Sequence, residues 1–173
     1  MNVKLKSNWM GCLALGAGLF LCSCVTVAKN PQEFREKTPG AMFGKTKKTD
    51  VNKSYAVLSA MLQRKAKECL NGGVIEKECR NYSCSETTNT VETVVASSKG
   101  RTELVTRYKL GRKMLDQPEE GMIYLVADLI PVDARNSRLE FYYGYAARFV
   151  DAIETWAQGE ERGCPDLTRI LER

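Results

Sequence analysis

The chain has 173 residues, 43% of them apolar and 27% charged, with 13 glycines and 5 prolines; these values describe an ordinary globular domain and exclude a collagenous, coiled-coil or wholly disordered chain. The formal net charge of +5 is not gathered into dense basic stripes, which excludes a nucleic-acid footprint. There is no histidine, so His-based triads, His-ligated metals and the usual neutral-pH acid–base group are excluded too.

The first predicted element is an export signal. Lys4 and Lys6 form a positive start, residues 10–21 are apolar or glycine, and small residues follow, which is the order a secretory signal requires. Twelve helical residues span about 18 Å, against a hydrocarbon core of about 30 Å. Extended to Ala28 the stretch nearly reaches across, so an uncleaved membrane helix is the competing expectation. Leu21-Cys22-Ser23-Cys24 separates the two, with a branched apolar residue, two small ones and then cysteine. This segment resembles the lipobox of bacterial lipoproteins, although Cys22 stands where Ala or Ser is commoner. The resemblance implies that the Cys24 thiol receives diacylglycerol, that cleavage follows Ser23, and that the new amine is acylated. Several acyl chains anchor stably where one binds marginally, at ~0.8 kcal/mol per buried CH₂. Val25, where an inner-membrane lipoprotein commonly carries Asp, implies the outer membrane, facing the periplasm. The expected division is a signal over 1–23, a lipidated N-terminus and flexible tether over 24–48, and a domain over 49–173. After cleavage, 24 basic and 21 acidic residues remain.

Residues 25–47 carry Pro31, Pro39, Gly40 and Gly44 among Gln, Glu, Lys and Thr with no sustained period, and therefore read as the tether. Phe34 and Phe43 are large enough to pack part of it onto the domain. Lys45, Lys47 and Lys48 suit anionic headgroups or wall polymer, or a plain solvated linker. Asn52 or Ser54 caps a helix running to about Leu70, with Gly72-Gly73 as its stop. Tyr55, Leu58, Leu62, Ala66 and Cys69 give it one apolar face. Strands are predicted over 74–80, 88–96 and 101–110, with a turn at Ser97-Ser98-Lys99-Gly100. In the third, Thr102, Leu104, Thr106, Tyr108 and Leu110 share a side. Residues 111–121 read as a polar connection. The run 122–130, the most continuously apolar, reads as a central strand. Leu139, Phe141, Tyr143 and Tyr145 alternate onto one side of a strand over 138–145. A second helix over about 146–157 carries Phe149, Val150, Ile153 and Trp156 as its stripe and closes at Gly159. The order helix, antiparallel strands, helix predicts an α+β fold with two helices on one face of the sheet. It is similar to helix-grip domains, a resemblance carried by element order alone.

Seven cysteines are present. Cys12 and Cys22 leave with the signal and Cys24 is expected to be lipidated. Cys69, Cys79, Cys84 and Cys164 remain, an even number for an oxidising compartment, with three possible connectivities. Cys69–Cys164 with Cys79–Cys84 is preferred, because Cys69 and Cys164 each lie at the end of a predicted helix. A zinc site or redox dithiol is disfavoured, since no CxxC spacing occurs.

Asp128 interrupts the apolar run 122–130. A buried carboxylate is how enzymes prepare general acids, but an edge or end-of-strand Asp paired with Arg or backbone donors is the preferred reading, because no second catalytic group accompanies it. Ser97-Ser98 lacks a base and a Ser-x-x-Lys motif, so it reads as a turn. Tyr142 falls on the opposite strand side from Phe141 and Tyr143, beside Gly144; core or sheet-surface packing is its default reading, and if exposed it is the candidate partner contact, able to stack on a sugar or anchor a protein. Phosphate loops are absent, no cofactor or metal is implied, and an enzyme is not expected. The expected function is a membrane-anchored, non-catalytic binding or structural module of the cell envelope, with another envelope protein or wall polymer as partner. The alternatives are a carrier of a small apolar ligand between helix and sheet, and an envelope enzyme.

Overall fold

The computed structural model describes residues 27–80, 83–112, 117–160 and 163–169. The signal segment, Cys22 and Cys24 lie outside the described residues.

Asn30 starts the first helix, α1 (Pro31–Lys37): its side chain accepts from the Glu33 amide at 2.9 Å, and Pro31 occupies the first turn, where its missing N–H leaves nothing unmet. A 3-10 turn over Thr38–Gly40 leads into strand β1 (Lys45–Val51), followed by helix α2 (Tyr55–Cys69). Four further strands form a meander, β2 (Gly72–Arg80), β3 (Ser83–Ser98), β4 (Arg101–Lys109) and β5 (Met122–Pro131). Strand β6 (Ser137–Tyr143) and helix α3 (Ala147–Gln158) complete it, before a 3-10 turn over Leu167–Arg169. All six strands form one antiparallel sheet in the order β1-β6-β5-β4-β3-β2. The fold is therefore α+β, as the sequence predicts.

Helices α2 and α3 cover the inner face. Leu58, Met61, Leu62, Ala66 and Cys69 of α2 are buried, together with Phe149, Val150, Ile153, Trp156 and Ala157 of α3. They meet the strand residues whose alternation points inward, Leu104, Tyr108, Leu125, Leu129, Leu139 and Phe141, each at most 1% exposed. Lys99 and Gly100, both with positive φ, form the two-residue β3–β4 turn that the sequence signals. Gly159 takes the left-handed conformation, φ 115°, that closes α3.

Three expectations need correction. Residues 31–48, expected as flexible tether, are mostly built into the domain as α1 and edge strand β1. Their polar composition hides this, because an edge strand exposed on both sides shows no apolar alternation, while α1 buries no whole residue. A third helix thus lies on the sheet face opposite α2 and α3. Gly72-Gly73 opens β2 rather than ending α2; α2 ends instead where Asn71 bridges, donating to the Ala66 carbonyl at 2.7 Å and accepting from the Thr93 amide at 2.8 Å. Glycine suits position 72 because a Cβ there would stand 2.9 Å from Leu167 of the C-terminal turn. Finally, β3 begins at Ser83, five residues before the expected start. Its first half pairs with β2 alone, making a two-stranded ribbon that runs past the end of β4.

Candidate functional site

A row of charges crosses the outer face of the sheet. Alternation brings Glu103 on β4, Asp128 on β5, Glu140 on β6 and Lys48 on β1 out on the same side. The register sets Glu103 opposite Asp128, Asp128 opposite Glu140, and Glu140 opposite Lys48. Adjacent carboxylates repel, and cations answer from two directions. Arg101 reaches along β4, its Nε donating to Asp128 Oδ1 at 3.0 Å and its Nη2 to Oδ2 at 2.6 Å. Arg35 comes down from α1, its Nε donating to Oδ2 at 2.7 Å and its Nη2 to Oδ1 at 2.7 Å. The same Nη2 also pairs with Glu103. Asp128 is only 3% exposed, so this carboxylate lies buried between two guanidinium forks.

The electrostatics of the surrounding groups follow from these contacts. Burial opposes the Arg35 charge, yet the hydrogen bonds to Asp128 and Glu103 hold its proton above the ordinary arginine value. Lys48 donates to Glu140 at 2.8 Å, which raises the lysine. Burial first, and then the charges of Glu140 and Asp128, push the Tyr142 phenol up. Beside the charges, Val105, Ile123 and Val126 form a small apolar cluster, against which Phe34 of α1 and Tyr142 pack. The interaction of Phe34 with the domain agrees with its standing out in the sequence.

Each oxygen of Asp128 accepts two charge-assisted hydrogen bonds, so the chemistry open to it is structural: it fastens α1 to the sheet. The pairing with Arg is the one the sequence suggests, but the place is not: Asp128 sits within a strand flanked by β4 and β6, not at a sheet edge or a strand end. Arg35 and Glu103, which complete the cluster, were invisible there, because nothing local marks a partner 93 or 68 residues away. The Ser97 hydroxyl also has a structural place, within hydrogen-bond distance of Thr102 (2.9 Å) and accepting from Gln63 at 3.0 Å. Tyr142 projects from the side opposite Phe141 and Tyr143, as alternation requires, but it is half-buried beside α1 rather than openly exposed. Its hydroxyl donates to Glu140 at 3.4 Å.

The cysteines stand in the preferred pairing. Cys69 and Cys164 are at disulfide distance, Cα atoms 4.9 Å apart, and tie the end of α2 to the C-terminal segment. Trp156 supports the same junction by donating to the Gly163 carbonyl at 3.2 Å. Cys79 and Cys84 are at disulfide distance as well, directly opposite each other on the ribbon, Cα atoms 4.0 Å apart. Among the described residues no group of three or more His, Cys, Asp or Glu is placed to hold a metal, and no helix is long and apolar enough to cross a membrane. No protein-family model matches the chain, and no curated protein matches it.

Proposed function

We propose that this chain is an outer-membrane lipoprotein, anchored through Cys24 and facing the periplasm, whose domain binds another envelope protein or wall polymer without catalytic turnover. Leu21-Cys22-Ser23-Cys24 supports the anchor, and the two cysteine pairs suit an oxidising compartment. The observation that carries the non-catalytic reading is the fourfold engagement of Asp128, the candidate general acid, by Arg35 and Arg101. Element order supports a helix-grip-like comparison for the sheet with α2 and α3. The ligand of a helix-grip carrier would lie between helix and sheet, where Trp156, Phe149, Phe141 and Tyr108 fill the space at 0–1% exposure, so the binding module is preferred to the carrier.

Two measurements test the reading. Intact mass of the membrane-extracted protein is expected to show a chain beginning at Cys24 with added acyl groups; a chain beginning elsewhere refutes the anchor. Affinity capture from crosslinked envelopes is expected to recover a partner, and Tyr142→Ala to weaken that capture more than it lowers thermal stability. Equal loss of both assigns Tyr142 to packing alone. A substrate consumed by the purified protein, with activity abolished in a folded Asp128→Asn variant, overturns the non-catalytic reading.

A further inference from the structure

Between Lys37 and Lys45 lies Gly40-Ala41-Met42-Phe43-Gly44, five consecutive residues without a polar side chain. They connect the 3-10 turn to β1, and the large ones face outward: Met42 is 89% exposed and Phe43 47%. Water is a poor solvent for such a pair, and this one is held in position. The Ala41 amide donates to the Thr38 carbonyl at 3.2 Å, and the Gly44 amide donates to the Ala41 carbonyl at 3.0 Å. A Cβ at position 44 would collide with the Thr38 carbonyl oxygen, so only glycine lets the loop close this tightly. Tyr145 supports the Phe43 ring from behind, centroids 5.3 Å apart. The result is a preformed apolar tip at the end of the sheet.

Charge and chain length indicate what meets it. Residues 29–48 hold six basic and two acidic side chains, whereas residues 49–173 hold eighteen basic and nineteen acidic. Of the six, Arg35 is buried against Asp128 and Glu103, and Lys37, Lys47 and Lys48 are engaged by Glu33, Glu154 and Glu140; the positive charge beside the tip is that of the exposed Lys45, which follows Gly44 directly. Cys24 lies seven residues before Pro31, a reach of at most about 25 Å, and α1 adds about 10 Å. With α1 fastened by Arg35 to Asp128, the tip is therefore kept within a few tens of ångströms of the anchoring residue.

We propose that the 40–44 loop is a membrane-contact tip: Met42 and Phe43 enter the boundary between headgroups and acyl chains of the bilayer that holds Cys24, with Lys45 beside them facing anionic headgroups. A lipid surface fits both the apolar pair and the lysine that follows it. This inference rests on the anchored-lipoprotein reading, and it adds an orientation: the β1 end of the sheet faces the membrane and the β2–β3 ribbon points elsewhere.

The test uses the full chain in vesicles of phosphatidylethanolamine and phosphatidylglycerol, with and without bromine on the acyl chains. Emission is read as the difference between a Phe43→Trp variant and the wild type, whose own tryptophans are Trp156, 1% exposed, and, in a chain that keeps its first residues, Trp9. The tip predicts a blue shift on vesicle binding and a loss of the added emission in brominated vesicles, reversed by Met42→Asp. Because Met42 is so exposed, this second substitution leaves the core alone, and circular dichroism checks that it does. Intact mass of the same sample separates the two readings. If Cys24 is acylated and bromine does not quench the emission added by Phe43→Trp, the anchor stands and the tip is overturned. If Cys24 is not acylated, quenching of the unacylated chain by added vesicles upholds the tip alone, and its absence overturns it. An emission change that needs added envelope protein instead of lipid also overturns it.

Discussion

On its inner face the sheet meets two helices whose buried residues are almost all apolar, and the contact is a close-packed layer centred on Trp156, Phe149, Leu58 and Leu62. On its outer face it meets a seven-residue helix with no buried residue of its own, held by Phe34 over a small apolar cluster and by Arg35 over a buried carboxylate. The inner contact is non-directional and scales with the area removed from water. The outer contact is directional and few-membered, so losing one member leaves its partners buried and uncompensated. A similar loss of stability therefore has different causes on the two sides.

Substitutions can break this comparison, the largest effects first. Trp156→Ala removes the largest fully buried side chain and is expected to lower stability by about 3–5 kcal/mol in urea unfolding. Asp128→Asn keeps the shape but strips the charge that two guanidiniums share, and up to about 3–5 kcal/mol is expected to be lost. The two variants should differ in where the structure opens: hydrogen exchange should rise throughout the sheet for Trp156→Ala and first at residues 31–51 for Asp128→Asn. Uniform exchange in both would remove the distinction between the faces.

The disulfides sharpen the comparison at a smaller scale. Cys164→Ser opens a link across a sequence separation of 95 and is expected to cost about 2–5 kcal/mol. Cys79→Ser opens a separation of 5, and about 2 kcal/mol or less is expected, confined to the ribbon. A loss for Cys79→Ser equal to that for Cys164→Ser would mean that the ribbon unfolds with the body.

The smallest effect is alkaline. Burial raises the phenols of Tyr108 and Tyr124 inside and of Tyr142 outside, and the Glu154 hydrogen bond raises Lys47. In each case the folded chain keeps a proton that the unfolded chain releases near pH 10. Stability from these groups is thus intact below about pH 10 and declines as pH rises through the raised native values. The urea midpoint should fall over that window, less steeply for Tyr124→Phe; a flat midpoint contradicts the burial assigned to these rings.

What the sequence revealed divides along the same line. The stripes of α2 and α3 and the inward alternation of β4 and β6 were legible because burial on one side imposes a period of 3.6 or 2. β1, with four of its seven residues Lys or Asp, and the distal half of β3, rich in Ser and Thr, were not, because exposure on both sides imposes none. Asp128 was visible as a break in an apolar run. Its meaning was not, since Arg35 and Glu103 are supplied by the register and by a helix outside the predicted domain. The preferred cysteine pairing is the one the structure brings together, although only one of its two helix-end arguments holds: Cys69 ends α2, whereas Cys164 lies past Gly159, the cap of α3.

Strands β3 to β6 each pair with the strand made just before them, so the meander can assemble as the chain lengthens. The residues made earlier have no such neighbour. β1 waits for β6, Arg35 for Asp128 and Cys69 for Cys164, and the last two closures span 93 and 95 residues. Loops of this size are entropically costly to close and slow to find their ends. The first-made part of the domain is consequently the last to be placed, and a chain cut short before residue 137 loses the seat of its N-terminal strand along with its own end.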